Sequence, residues 1–398
     1  MTCVLLFSIF AKNKPMIIER TIQKSIVERI SESGHPRKVI IIYGARQVGK
    51  TTLVKEILSG YDLKKEYFNC DYLDVQSAFS YENAGNFGNI VKNLRLIILD
   101  EAQRINNIGM VLKILHDEFP QLKIIATGSS SFELSGKISE PLTGRKLVYQ
   151  LYPFSFRELE AVYSKMDAQR LISKIMRFGT YPSVILEDDQ HAVENLNEIA
   201  SSYLFKDIFT YQSLKKPEII LDLLKLLAFQ VSGEVSYTEL ARKLKVDQTV
   251  IQRYIQLLED SFILFRLQAL RKNLRTEVGK TRKVYFWDIG IRNILIQNTN
   301  TLDFRDDHGK LWENFCVSER MKYLNSRPSG QIQSFFWRTY NQKEIDYIEE
   351  SSGSFSAFEF KWSSKKAGKL PVDFSQAYSC SEIRNANPGN FSDVLYDI

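Results

Sequence analysis

Cysteine and histidine are scarce in this chain, with four of each among 398 residues. Cys3, Cys70, Cys316 and Cys380 lie far apart and form no C-x-x-C pair. That argues against a zinc ribbon or a disulfide framework and for reduced thiols in a cytoplasmic protein. The histidines are equally scattered, so no His-based metal site is expected. Long apolar runs are missing too. Residues 3–11 (CVLLFSIFA) are too short to span a bilayer and have no basic flank ahead of them; they read as an N-terminal extension, with Met16 a second candidate start. A soluble protein with no membrane partner is expected. Charge of one sign does not prevail either: at +6 the chain is only mildly basic, so a nucleic-acid partner has to be argued from local charge. With 44% hydrophobic and 25% charged residues the composition excludes disordered and fibrous classes, and the length allows two or three domains.

What is present is organised around residues 39–52, VIIIYGARQVGKTT. Val39, Ile40, Ile41 and Ile42 are consecutive β-branched residues, as in a parallel strand covered on both faces. Gly44, Ala45, Arg46, Gln47, Val48, Gly49, Lys50 and Thr51 then fit G-x-x-x-x-G-K-[ST], with Thr52 continuing into a helix. Such a loop turns backbone N–H groups around a β-phosphate, and its glycines allow the torsions and the close approach. Lys50 would reach the β- and γ-phosphates, Thr51 would ligate Mg²⁺, and the helix would add its positive end. ATP and Mg²⁺ are the expected cofactors.

About fifty residues further on, LRLIILDE (94–101) reads as an apolar strand ending in Asp100 and Glu101. The first acid is placed to hold the Mg²⁺ shell and the second to orient and deprotonate the attacking water. A further buried strand, 123–126, ends in Thr127, Gly128 and Ser129, polar groups that can sense the γ-phosphate or cap the next helix. Arg145 is a candidate to act on the γ-phosphate, in cis or across a subunit contact in a homo-oligomer; a surface ion pair is the plainer reading.

Residues 156–209 are helical in period, broken at Gly179-Thr180-Tyr181-Pro182, and fit a lid over the nucleotide. Beyond Lys215-Lys216-Pro217, helices at 219–229, 236–244 (Ser236 cap) and 247–258 (Asp247 cap), then a strand at 262–270, read as a winged helix-turn-helix. Across 266–292, Arg266, Arg271, Lys272, Arg275, Lys280, Arg282, Lys283 and Arg292 face only Glu277 and Asp288. That excess is the footprint of a phosphate-binding wing, with DNA the expected partner.

The last hundred residues carry a second constellation. Glu313 lies on the apolar face of a helix, Asp346 on a strand, and Glu359 and Lys361 on one face of the next strand, since strand side chains alternate. An acid followed by E-x-K on the neighbouring strand is the PD-(D/E)XK arrangement. Asp346 and Glu359, assisted by Glu313, would hold Mg²⁺ and Lys361 would orient the attacking water, with Trp337 and Arg338 as base or phosphate contacts.

In order, GARQVGKTTL, LIILDEAQ, ATGSSSFEL, LTGRKLVYQLYPFSFREL and FGTYPSVIL resemble a prokaryotic AAA+ family similar to origin-recognition and signal-transduction ATPases. The resemblance implies an α/β fold: a phosphate-loop AAA+ parallel sheet with a helical lid, then a winged helix and an α/β restriction-endonuclease-like domain. The boundaries expected are 1–15 extension, 16–155 ATPase core, 156–216 lid, 217–298 winged helix and 299–398 nuclease-like domain. It also implies that Lys50, Thr51, Asp100 and Glu101 bind and hydrolyse ATP, with Ser129 and Arg145 in support. ATP hydrolysis coupled to DNA binding, extended to Mg²⁺-dependent cleavage by the C-terminal domain, is the leading expectation. A nucleotide-dependent signalling switch with an inactive C-terminal binding module is the alternative.

Overall fold

A computed structural model of the chain describes residues 17–31, 37–128, 141–201, 217–270, 281–327, 332–365 and 367–396. The expected extension at 1–15, together with Ser129, Arg271, Lys272, Arg275 and Lys280, lies outside the described residues.

The first layer is built on β1 (Val39–Gly44), whose six residues are all buried. Helix α1 (Thr21–Ser31) precedes it and buries Ile22, Ile26 and Ile30, the i, i+4 stripe that its sequence dictates. After α2 (Lys50–Ser59) and β2 (Lys65–Asn69) come short helices α3 (Leu73–Ala78) and α4 (Phe87–Val91), then β3 (Leu96–Asp100), α5 (Ile108–Glu118), β4 (Lys123–Gly128) and β5 (Lys146–Leu151). The five strands form one parallel sheet in the order β2-β3-β4-β1-β5. Every strand therefore ends at the same edge, and the loops after β1, β3 and β4 converge there.

The next helices are α6 (Phe156–Glu160), α7 (Lys165–Phe178), α8 (Pro182–Ile185) and α9 (Asp189–Ile199). Ser155 and Glu158 close a capping box at the start of α6, so two of its orphan N–H groups are satisfied reciprocally. Then follow α10 (Pro217–Phe229), β6 (Glu234–Val235), α11 (Tyr237–Leu244), α12 (Gln248–Asp260), β7 (Leu264–Ala269), β8 (Arg282–Phe286) and α13 (Ile289–Leu295). Ser236 caps α11 by accepting from the Glu239 N–H, as its sequence suggests. Asp247 occupies the corresponding position before α12, but its side chain makes no cap hydrogen bond. Helix α13 is fastened to α7: Asn293 donates to the Met176 and Arg177 carbonyls, and buried Asp288 accepts from the Thr180 N–H at 2.7 Å. Gly179 and Gly290 permit that contact, since a Cβ on either would fall 2.0 Å from Asp288 or from the Phe178 carbonyl.

The chain ends with α14 (His308–Asn325), β9 (Gln333–Arg338), β10 (Glu344–Ser351), β11 (Ser354–Phe360), α15 (Val372–Tyr378), β12 (Ile383–Ala386) and α16 (Phe391–Tyr396). Ser352 and Gly353 join β10 to β11 with positive φ at both positions, the two-residue turn that matches strand twist. These strands do not form a separate sheet. They continue through a parallel β7·β9 pairing into a seven-stranded sheet, β12-β11-β10-β9-β7-β8-β6, which crosses the expected boundary at 298/299. Helix α14 reaches back to the start of α6: Glu319 accepts from the Phe156 N–H at 2.7 Å, and Lys322 donates to the Phe154 carbonyl at 3.1 Å.

Asp307, just before α14, is gripped by Arg292 at 2.6 Å and Arg305 at 2.8 Å. Burial opposes its ionisation, but the hydrogen bonds from these arginines hold its carboxyl down at about 2. A carboxyl depressed on folding stabilises above its unfolded value near 4 and loses that contribution as pH falls towards 2. Asp307→Asn is expected to cost about 2 kcal/mol at neutral pH and to flatten the acid limb of a stability–pH profile between about 4 and 2. An unchanged acid limb in denaturant titrations across that range would refute the assignment.

Candidate functional site

At the converging strand ends the phosphate loop has the shape that its residues require. Gly49 has φ 94° and Gln47 φ 59°, turning the backbone ahead of α2, while a Cβ on Gly44 would lie 2.2 Å from the Leu151 carbonyl of β5. Lys50 is buried and its Nζ donates to the Gly44 and Ala45 carbonyls at 3.0 and 2.8 Å, within the loop that phosphates would occupy. The Thr51 hydroxyl donates to Asp100 Oδ2 at 2.7 Å, so the two expected Mg²⁺-shell residues meet. Their hard oxygen donors at a loop mouth suit Mg²⁺.

Two more side chains fix Asp100. The Tyr67 hydroxyl donates to the same oxygen at 2.6 Å, and the Thr127 hydroxyl donates to Oδ1. Thr127 Oγ1 also accepts the Glu101 N–H at 3.0 Å. Glu101 itself sits at φ 56°, ψ 40°, a left-handed conformation that costs a non-glycine residue about 1–3 kcal/mol and is characteristic of functional turns. Burial and the Asp100 hydrogen bond push the Tyr67 hydroxyl well above its ordinary range, which keeps it a donor.

Arg20 is the residue that sequence reading missed. Buried before α1, it donates to the Val48 carbonyl of the phosphate loop at 2.7 Å, to the Tyr152 carbonyl at 2.7 Å and to Glu158 at 3.2 Å, and it lies over the Phe154 ring. No motif flags it; only the fold brings 20, 48, 152 and 158 together.

Arg145 is not brought to the phosphate loop. It precedes β5, and the register pairs Val39 with Lys146 but Gly44 with Leu151. Arg145 thus lies at the opposite edge of the sheet, roughly 20 Å of strand away. There it makes a half-exposed ion pair with Asp117 at 3.0 Å. A cis role on the γ-phosphate is corrected by this geometry, because parallel strands send their carboxyl ends to one edge only.

The basic stretch is also largely consumed internally among the described residues. Arg266 is held by Glu259, Tyr237 and Gln256, and buried Arg292 by Asp307 and the Ala228 carbonyl. Lys283, only 3% exposed, turns inward to Glu313 at 2.8 Å and Glu344 at 2.5 Å.

In the C-terminal unit Asp346 stands opposite Glu359, as the Tyr347↔Phe358 register dictates. Asp346 Oδ2 accepts the Phe360 N–H at 2.9 Å and lies 3.7 Å from Lys361 Nζ, while Lys361 is ion-paired to Glu359. Glu313 is directed elsewhere, accepting from Lys283 and from the Tyr285 hydroxyl at 2.8 Å each. Burial pushes its carboxyl up to about 7 against the pull of Lys283, with Asp346 adding repulsion. Burial alone would lower Lys283, but Glu313, Tyr285, Glu344 and Asp346 together keep it firmly charged. Among the described residues, no three His, Cys, Asp or Glu side chains are grouped so as to hold a metal ion. The expected Mg²⁺ set of Glu313, Asp346 and Glu359 is therefore not assembled. Trp337 is buried against Phe374, which removes it as a base contact, and the partly exposed Arg338 pairs with Glu234.

Three stretches of the chain match known protein families. Residues 36–160 match an AAA domain, 169–302 a domain of unknown function (DUF8612) and 308–391 another (DUF4143). An uncharacterized protein of Methanocaldococcus jannaschii is 24% identical over 366 residues, covering 87% of this chain and 78% of that protein. One of Mycobacterium tuberculosis is 27% identical over 351 residues, covering 87% and 74%. Among solved structures, a Walker-type ATPase of Pyrococcus abyssi aligns with TM-score 0.48 at 16% identity, over 72% of this chain and 99% of that one. No helix among the described residues is long and apolar enough to cross a membrane. With the parallel sheet and the phosphate loop in place, the match at 36–160 supports an AAA-type ATPase fold for that part of the chain.

Proposed function

We propose that this chain binds ATP with Mg²⁺, hydrolyses it, and uses the nucleotide state to control what its helical unit and C-terminal unit bind. The observation that carries the reading is the Thr51–Asp100 contact at 2.7 Å beside Lys50, with Glu101 next in the chain. Bound Mg²⁺ would neutralise charge on the β- and γ-phosphates. Loop N–H groups and Lys50 bind and orient those phosphates, Thr51 and Asp100 supply oxygen ligands, and Glu101 takes the proton of the attacking water.

DNA is the partner that the order of α10, β6, α11, α12, β7 and β8 favours, since it is the order of a winged helix. The internal pairing of Arg266, Lys283 and Arg292 narrows the charge available to it. Cleavage finds support in the meeting of Asp346, Glu359 and Lys361, but the engagement of Glu313 with Lys283 favours the switch, in which the C-terminal unit binds without cutting.

Lys50→Ala is expected to weaken ATP binding by about 100-fold or more, the scale of losing a charge-assisted phosphate contact. Nucleotide titration checks it, and unchanged affinity would remove the reading. DNA affinity measured against salt separates the readings: a steep log–log slope indicates phosphate contacts, and salt-insensitive or absent binding favours the switch.

A further inference from the structure

We propose that the acidic site of the C-terminal unit holds an internal cation, the Lys283 ammonium, in place of a divalent metal ion. The inference is independent of ATP hydrolysis and concerns the site where sequence reading expects Mg²⁺.

The geometry is that of a filled site. Lys283 comes from β8, two strands away from β9 in the sheet, and reaches Glu313 on α14 and Glu344 on β10. Its ammonium lies over the Phe336 ring at 5.5 Å, and Tyr285 donates to the same Glu313 oxygen. The remaining acids have partners of their own: Asp346 accepts the Phe360 N–H, and Glu359 is paired with Lys361. Four carboxylates, Glu313, Glu344, Asp346 and Glu359, thus face Lys283, Lys361 and Arg338, the last 3.9 Å from Glu344. A divalent ion that recruits Glu313 to Asp346 and Glu359 would have to draw it from a buried ammonium, and a buried charge stripped of a partner is costly. Mg²⁺ further demands near-octahedral oxygen coordination and retains several waters, whereas Lys283 is satisfied by the protein alone. The lysine also ties the β6-β8-β7 part of the sheet to the β9–β12 part, so it is both the resident cation and an ionic clamp across the boundary.

The test is calorimetric titration of the nucleotide-free full chain with Mn²⁺, comparing wild type, Asp346→Asn, Lys283→Met and the double variant. Wild type is expected to show no saturable Mn²⁺ binding that Asp346→Asn removes. Lys283→Met, which keeps the side-chain length and deletes the charge, is expected to gain a saturable Mn²⁺ site, about tenfold or more tighter than any residual Mn²⁺ binding of the wild type. That gain is expected to disappear in the double variant. An Asp346-dependent Mn²⁺ site in the wild type overturns the proposal, as does a folded Lys283→Met chain that gains none. If Lys283→Met fails to fold, the comparison of wild type with Asp346→Asn still decides.

Discussion

Glu101→Gln leaves nucleotide binding in place and lowers ATP turnover by roughly 10²–10⁴-fold, the span that a positioned general base contributes. Glutamine keeps the shape of the side chain and can stay beside Gln103, to which Glu101 is hydrogen-bonded. The backbone need not change either, because the Glu101 N–H remains bonded to Thr127 and continues to hold the left-handed turn. What is lost is the ability to accept a proton. Phosphate release and nucleotide affinity measured on the same preparation separate this from a binding defect. Turnover within a few-fold of wild type would assign the base to another group.

Arg20→Met is expected to destabilise the chain by about 3–5 kcal/mol, the cost of breaking a buried ion pair from one side. Glu158 would be left with only the Thr21 and Ser155 N–H groups. Burial works to raise the Glu158 carboxyl, and Arg20 is the main influence holding it below its ordinary range. With Arg20 gone that carboxyl would rise, and its contribution to stability, which in the wild type grows as pH increases through the carboxylate range, would shrink or reverse. The Val48 carbonyl would lose its anchor at the same time, so ATP affinity is expected to fall alongside stability. Arg20→Lys is expected to recover little, because one ammonium does not reproduce a planar fork reaching three acceptors on different segments. Thermal unfolding with and without ATP checks both effects. Full stability in Arg20→Met would show that this contact is dispensable.

The phosphate-loop part was legible because its chemistry is local. Strand, loop and helix follow one another within 39–59, and the spacing of glycines, Lys50 and Thr51 already encodes the torsions and the charges that a phosphate needs. Asp100 could be matched to Thr51 because parallel β3 and β1 end at the same edge. That same rule removes Arg145 from the site, and its ion pair with Asp117 is invisible to a motif. The C-terminal pairing of Asp346 with Glu359 was likewise readable, since a two-residue hairpin sets its own register.

Long-range charge pairing was not readable. Lys283, counted from sequence as part of a basic wing, points into the protein because its strand joins a sheet that continues into β9–β12, fifty or more residues downstream. Sequence by itself therefore determined the phosphate loop, the acids at the strand end and most helix and strand positions, all of which depend on neighbours a few residues apart. Tertiary structure alone decided that Arg20 holds the loop, that Arg145 faces away from it, and that Glu313 meets a lysine. Pairing of charges in a low-dielectric interior is set by which distant segments pack together, and a linear charge count carries no information about that.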